Sequence, residues 1–381
     1  MDSFDVLIVG GGPAGSSCAW ALRNSGLDVA ILDKQVFPRD KVCGGWITPG
    51  VLTALDINSD EYGRDHVLQP ITGFRTSCIG RNSQIETDYG RTVSYGIRRR
   101  EFDDYLLKRC AARIYEGVSL SSLNRSGASW IVNDNIRARL VVGAGGHFCP
   151  VARLVSAQTA KSQSVVLDSR MGGNHTGVPV AAQETEFEMD AHQIANCDVR
   201  GSSPELYFCA DMKGYGWCFR KQNRLNIGLG RADPHGIAEH ASAFVRLLAA
   251  TGKVRFEVPR LRGHAYFLYG TSQRQIAGDG FLLIGDSAGL ARPQSGEGIL
   301  PAIESALLAA ETILAARGTW ATAQREAYNR QIAERTGNAC DGWMTRIGRG
   351  LPPRLTRFAA TQLLENRWFA RHVVLDSWFL H

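Results

Sequence analysis

The 381-residue chain has no apolar run approaching the about 20 residues that a membrane-spanning helix needs, so no such span is expected. It also has no C-x-x-C pair. Its nine cysteines (Cys18, Cys43, Cys78, Cys110, Cys149, Cys197, Cys209, Cys218 and Cys340) are scattered and odd in number. That pattern argues against a disulfide framework, a zinc site and an iron–sulfur cluster, and no metal ligand set is expected. It fits a reducing compartment in which most thiols act as small buried apolar groups. A buried-strand pattern begins at Phe4 and leaves no room for a leader peptide, which gives the expectation of a cytoplasmic protein. Internal repeats and low-complexity tracts are missing. The charge excess is small, +6 from 43 basic and 37 acidic residues, and a solvated surface accounts for it. With no motif behind it, this charge points to no nucleic-acid partner.

What the chain has in quantity is glycine, 41 residues of it, many at the ends of strand-like runs. Three separated segments read as pieces of one nucleotide-binding domain: 1–62, 97–160 and 276–318. The first opens strand–turn–helix–strand. The second holds a helix from about Glu101 to Ala112 and a strand, Leu140-Val141-Val142, ending in glycines. The third has a strand, Phe281 to Ile284, and an Ala-rich helix around Pro301 to Ala316. Between them, 63–96 and 161–275 show β alternation, as in Glu184 to Met189, Glu205 to Cys209 and Leu225 to Leu229, with a short helix at Ile237 to Ala250. The expected fold is therefore α/β: a Rossmann-like domain, an inserted antiparallel β-sheet substrate domain, and a helical C-terminus over 319–381.

The strand Asp5 to Val9 feeds Gly10-Gly11-Gly12-Pro13-Ala14-Gly15, a G-x-G-x-x-G sequence opening a helix. Gly10, Gly12 and Gly15 permit a tight turn and close backbone approach, and the helix N-terminus, starting at Pro13 and Ala14, offers unpaired N–H groups to a pyrophosphate. A second strand, Val29 to Leu32, ends at Asp33, followed by Lys34, about twenty residues on, where a ribose diol would be gripped. Gly285-Asp286 closes another strand, and an acid there can accept bonds from the hydroxyls of an extended ligand such as a flavin's ribitol. The stretch Gly296-Glu297-Gly298-Ile299 opens the long helix, whose N–H groups could stabilise a reduced isoalloxazine.

These elements together resemble the p-hydroxybenzoate-hydroxylase-like FAD superfamily over most of the chain. The Arg99-Arg100-Glu101-Phe102-Asp103 run matches that superfamily's Arg before a Phe-Asp helix, which makes Arg99 a cofactor contact. Its D-G motif has a counterpart at Gly143 to Arg153, with Gly145 where the superfamily has aspartate. That segment is linked to FAD and NAD(P)H, so the departure weakens the expectation of direct nicotinamide use, and the electron source stays open between NAD(P)H and a redox protein.

Two segments are similar to the geranylgeranyl reductase branch. Lys41-Val42-Cys43-Gly44-Gly45 resembles its K-x-C-G-G element beside the flavin. Gly214 to Lys221, with Asn226 to Gly230, resembles its Y-x-W-x-F-P-K…N-V-G-x-G cavity strand, with Arg220 in place of the proline. The resemblance implies alkene reduction on a bulky apolar or isoprenoid substrate, with Cys43 nearest the reacting centre and Tyr215, Trp217 and Phe219 on the cavity wall. Core packing explains the same residues about as well from sequence alone. An FAD monooxygenase of an aromatic or bulky substrate needs the same scaffold. A halogenase is a narrower version, and the W-x-W-x-I element of tryptophan halogenases is matched only by Tyr215-Gly216-Trp217-Cys218-Phe219. A non-catalytic flavoprotein is the third reading. It draws on a tail where Arg346, Arg349, Arg354, Arg357, Arg367 and Arg371 interleave with Trp343, Phe358, Trp368, Phe369, Trp378 and Phe379. Such a tail could touch an anionic membrane or a partner, or form a helical pair covering the flavin domain.

Overall fold

The computed structural model describes residues 1–81, 83–162, 179–270, 274–318, 320–336 and 361–380. The chain forms two compact units: 1–39, 102–178 and 266–340 make one, and 40–101, 179–265 and 341–381 the other. The division expected from sequence ran the nucleotide-binding domain on to residue 62, whereas the compact units divide at Arg39.

In the first unit the strand Asp2–Val9 lies at the centre of an eight-stranded sheet. It pairs in parallel with Val29–Asp33 on one side (Leu7 opposite Ala30) and with Ile136–Gly143 on the other (Leu7 opposite Val141). Phe281–Leu283 adds in parallel beyond Ile136–Gly143, and Arg113–Glu116 beyond Val29–Asp33. Leu7, Ile8, Ala30, Ile31, Val141 and Val142 are all fully buried. That explains why these strands read as unbroken apolar runs: parallel strands have both faces covered. The helix Pro13–Leu22 packs on the helix Ile299–Ala315, and both bury small residues, among them Ala14, Cys18 and Ala19 on the first and Ala306 and Ala310 on the second. The helix expected from Glu101 to Ala112 runs from Arg99 to Lys108 instead. The chain turns at Ala111, whose φ of 53° is incompatible with a continuing α-helix.

The second unit is built on a seven-stranded sheet in the order Arg262–Tyr266, Val180–Glu188, Arg224–Arg231, Gly214–Lys221, Glu205–Phe208, Gly73–Cys78 and Gln84–Asp88. Its central ladders are antiparallel, and Glu205–Phe208 meets Gly73–Cys78 in parallel. Trp46–Ile47, Ser94–Ile97 and Leu68–Ile71 form a small separate sheet. The period-two alternation sorts the large sheet's faces. Cys218, Leu225, Ile227 and Leu229 point to the helix Ile237–Ala250, where Ala241, Phe244 and Leu248 cover them. Tyr215, Trp217 and Phe219 take the opposite face.

The helical C-terminus is divided between the units: Thr322–Thr336 belongs to the first, and Arg367–Phe369, continued as a π-helix over Ala370–Phe379, belongs to the second. Tyr89 donates to Asp376 at 2.6 Å, the Arg371 guanidinium lies 5.0 Å from the Tyr89 ring, and Phe379 stacks on Trp46. The tail residues Trp343, Arg346, Arg349, Arg354, Arg357 and Phe358 lie outside the described residues.

The helix Thr322–Thr336 is tied to the parallel sheet by one buried bond, from the Tyr328 hydroxyl to the Leu283 carbonyl at 2.8 Å. Tyr328→Phe should therefore lower unfolding free energy by about 1–2 kcal/mol through the unsatisfied carbonyl, read as a shifted urea midpoint at unchanged slope.

Candidate active site

At the carboxyl end of Asp2–Val9 the backbone is drawn together more closely than any side chain would allow. A Cβ on Gly15 would stand 1.8 Å from the Gly10 carbonyl oxygen, and one on Gly10 would stand 2.4 Å from that of Ala144. The helix beginning at Pro13 has Gly12 as its N-cap, with no capping side chain and no acid in its first turn. Its first N–H groups and its positive end are thus left to an anion. Asp33, largely buried, accepts from the Gly11 N–H at 2.6 Å and the Gln35 N–H at 2.8 Å. Each carboxylate oxygen keeps acceptor capacity for a hydroxyl. Lys34, beside it, is exposed.

Sequence reasoning missed the charge at this cradle. Arg39 pairs with the fully buried Asp103 at 3.1 Å, and its guanidinium lies 4.7 Å from the Phe37 ring. A Cβ on Gly12 would meet Arg39 Nη2 at 3.3 Å, and Arg39 Nη1 is buried with no hydrogen-bond partner. A half-buried cation held next to an uncapped helix start fits a pyrophosphate. The pair was present in the sequence, as the Arg before Asp40-Lys41 and the Asp of the Arg-Arg-Glu-Phe-Asp run, but nothing local joins the two.

Asp286 lies in the tight helical turn Gly285–Ser287, and a Cβ on Gly298 would meet its Oδ1 at 3.1 Å. Gly298 caps the helix Ile299–Ala315, again without a capping side chain or a first-turn acid. A Cβ on Gly296 would meet the Tyr266 hydroxyl at 2.3 Å. Between them, Glu297 pairs with Arg292 at 3.3 Å, and burial pushes its carboxyl up to about 7, against the pull of Arg292 and with a push from Glu304. Arg274 donates to the carbonyls of Ser287 at 2.8 Å and His147 at 3.0 Å, fixing the loop around Gly145 and Gly146. A Cβ on Gly145 would stand 3.1 Å from Pro150 and 3.2 Å from Cys149, so an aspartate would need that turn to open. The first unit thus brings together Gly10, Gly12, Pro13, Ala14, Gly15 and Asp33 at one place, and Gly285, Asp286, Gly298 and Ile299 at another.

The remaining candidates lie in the second unit. Arg99 is buried, and Lys41 and Arg99 both act electrostatically on His264, whose imidazole burial and these cations hold down to about 4. Gly45, with φ of 63°, has its open side filled: a Cβ there would meet the Ile97 carbonyl at 2.3 Å and Lys221 Nζ at 2.4 Å. Gly44 packs on the aromatic face, where a Cβ would stand 3.4 Å from Phe219 and 3.5 Å from Trp217 Nε1. Half-buried Cys43 precedes it, and the Asn226 amide donates to the Cys43 carbonyl at 3.2 Å. Trp217 donates from Nε1 to Asn226 Oδ1 at 2.7 Å.

Trp217 also depends on a glycine across the ladder. A Cβ on Gly228 would overlap the indole at 2.3 Å and Glu184 Cβ at 2.6 Å. Tyr215 and Phe219 flank Trp217 on the same strand face, Trp46 meets Phe219 edge-on at 5.6 Å, and Phe379 meets Tyr215 at 5.5 Å. Beneath this wall lie two acids and one base. Lys221 donates to Glu186 at 2.5 Å and to the Ile97 carbonyl at 2.8 Å. Glu184, 3% exposed, is pushed by burial up to about 7, with Glu186 adding to the rise and Lys221, Cys43 and Asn226 opposing it. Alternation marked Glu184 only as a strand residue, because its burial arises from Gly228 and Trp217 on other strands.

Fold and site together define a protein that binds an extended dinucleotide and sets an aromatic wall on its second sheet. Residues 3–341 match the FAD binding domain family. The menaquinone reductase of Mycobacterium tuberculosis is 30% identical over 82% of this chain and 77% of its own length. The geranylgeranyl diphosphate reductase of Rhodobacter capsulatus is 29% identical over 82% of this chain and 75% of its own. A geranylgeranyl bacteriochlorophyll reductase-like structure from Thermoplasma acidophilum shares the fold, with a TM-score of 0.76 over 100% of this chain and 97% of that one at 20% identity. The chain belongs to the FAD-binding family and is an FAD-dependent oxidoreductase whose relatives include the geranylgeranyl reductases.

Two measurements test the geometry. Asp33→Asn leaves one acceptor oxygen and removes the charge, and should weaken FAD binding about tenfold or more, judged from about 1.5–3 kcal/mol for a bond to a charged group; titration of apoprotein with FAD measures it. Glu184 binds its proton more tightly folded, at about 7, than at its ordinary 4.5, so its contribution to stability is complete below pH 4.5 and lost as pH rises through 7. Urea unfolding across that window should show Glu184→Gln removing a decline on the order of 3 kcal/mol.

Proposed function

We propose that this oxidoreductase reduces an alkene bond in the isoprenoid chain of a bulky apolar molecule. The observation that carries this reading is the wall formed by Tyr215, Trp217, Phe219, Trp46 and Phe379 on one face of the second sheet, with the half-buried Cys43 turn packed on it. Trp217, Phe219 and Phe379 are already buried, and the half-buried rings of Tyr215 and Trp46 are the part of the wall that an apolar chain would cover, at about 25 cal/mol per Å² removed from water and without demanding polar partners. The menaquinone and geranylgeranyl diphosphate of the relatives' names both carry such chains.

FAD, when bound and reduced, supplies hydride. Gly10 to Gly15, Arg39 and Asp33 hold the adenine half and the pyrophosphate, while Asp286 and the start of the Ile299–Ala315 helix receive the ribitol and ring end. Lys41, Gly44, Gly45 and Arg99 are proposed to complete the cofactor's contacts. Cys43 lies beside the reacting bond, and the wall fixes which carbon is presented. Orientation of this kind is worth orders of magnitude in rate. Gly145 in place of an acid supports a redox protein as electron source over direct nicotinamide use. Arg367, Trp368 and Arg371 are exposed on the C-terminal helical segment, which supports contact with an anionic membrane from which an apolar substrate would be drawn.

The test is anaerobic reduction of the FAD-loaded protein with dithionite, addition of menaquinone or geranylgeranyl diphosphate, and mass spectrometry. A product heavier by one hydrogen molecule supports the reading. An oxygenated product on admitting air, with no hydrogenated one, overturns it in favour of monooxygenation. Gly228→Ala, which must displace Trp217, should cut turnover by about 10²-fold while FAD stays bound.

A further inference from the structure

We propose that Glu184 holds the proton consumed in the reduction and delivers it through Cys43; this rests on the alkene-reduction reading above. Saturating a carbon–carbon double bond takes one hydride and one proton. One carbon receives the hydride, with its electron pair, from reduced flavin. The other receives a proton as the π bond opens, so two C–H bonds form and the group that gave the proton is left as its anion.

The second sheet contains a carboxyl arranged for that role. Glu184 stands opposite Gly228, on the wall face, with Trp217 on the far side of that glycine. Four groups set its charge, while the strand Arg262–Tyr266 on the other side of its own strand carries Arg262 and His264. Glu186 is its neighbour on the same face of its own strand, Lys221 comes from Gly214–Lys221, the Asn226 amide from Arg224–Arg231, and the Cys43 main chain from the turn above. Lys221 is already engaged by Glu186 at 2.5 Å and by the Ile97 carbonyl. Two acids therefore share one base, with Glu184 and Lys221 buried and Glu186 at the edge, 21% exposed. A second full negative charge there is costly, so one proton is retained. Glu186 has the direct ion pair, which leaves the proton to Glu184, and the rise of its carboxyl to about 7 agrees with this count.

The site can also accept the anion after the proton has gone. Lys221 attracts it, and both the Cys43 main chain and the Asn226 amide favour the charged form. Glu184 Oε2 is buried without a hydrogen-bond partner, a cost of about 1–3 kcal/mol that a purely structural carboxyl has no reason to bear. At 3% exposure Glu184 does not touch substrate. It is a positioning residue for the proton: the half-buried Cys43 thiol gives its proton to carbon and is recharged from Glu184, and Glu184 recovers its own from solvent between turnovers. A group with pKa near the working pH is suited to such transfer, which is worth about 10²–10⁴-fold.

Two measurements on the FAD-loaded protein decide the matter. Infrared titration of the oxidised protein, without substrate, should show carboxylic C=O intensity that fades near pH 7; Glu184→Gln should lose the Glu184 share of it and keep that of Glu297. If Glu184→Gln loses none of that intensity, the proposal is overturned whatever the activity. In single-turnover reduction of geranylgeranyl diphosphate or menaquinone, wild type should lose rate as pH rises through 7. Glu184→Gln, which keeps the side chain's shape, should react about 10²-fold more slowly with that limb gone, and Glu184→Asp should restore part of both. Substrate affinity, read by tryptophan quenching, should be unchanged. A Glu184→Gln rate within twofold of wild type, or an intact limb, overturns the proposal while leaving alkene reduction standing. Failure of wild type to hydrogenate either compound, with the Glu184 intensity present, instead overturns the reading on which the proposal rests.

Discussion

The nucleotide-binding unit depends on one steric constraint, the meeting of three stretches of backbone with no side chain between them. Gly15 sits on the carbonyl of Gly10, and Gly10 sits on the carbonyl of Ala144, so the first strand, its helix and the strand Ile136–Gly143 share a single vertex. The groups proposed to hold the dinucleotide's adenine half and pyrophosphate are arranged around that point. The helix start is brought there uncapped, Asp33 reaches the Gly11 N–H from the neighbouring strand, and Arg39 approaches Gly12 while anchored on buried Asp103. A methyl group at the vertex would separate the helix from the sheet, and the anion cradle would be lost with it.

This constraint also explains which parts of the molecule could be read from the sequence. The vertex is made of residues close together in the chain, and its glycines, strand and terminal acid occur at spacings set by strand and helix geometry. The G-D strand end and the long alanine-rich helix are legible for the same reason. The sheet of the second unit was legible as alternation, which correctly put Tyr215, Trp217 and Phe219 on one face. The chain's tail was not. Its arginines and aromatics suggest a cover for any apolar surface, and residues far away in sequence, among them Tyr89, Trp46, Ser83 and Tyr215, hold residues 361–380 in the second unit.

The buried charges were the least legible features. Arg39 and Asp103 are ordinary surface residue types until the fold places one beside Gly12 and the other in the interior. Glu184 lies in a run of alternating acids, Glu184, Glu186 and Glu188, of which only the first is fully buried. What distinguishes it is Gly228, a residue on the next strand whose missing side chain lets the indole and the carboxyl share one layer. Periodicity reports which face a residue occupies. It does not report how deep the neighbours on that face make it.

Glycine therefore performs two opposite tasks in the two units. At the vertex it brings backbone against backbone and leaves N–H groups unpaired, which suits a charged ligand. On the second sheet it brings ring against backbone: Gly228 receives Trp217, and Gly44 receives Trp217 and Phe219. The resulting surface excludes water, and a low dielectric raises the energy of any charge left inside it. The acid beneath that surface is consequently held near neutrality by the packing that makes the wall apolar. In the proposed reaction an isolated alkene needs an apolar surface to be bound and a proton to be reduced, and under that proposal the same glycine and tryptophan serve both.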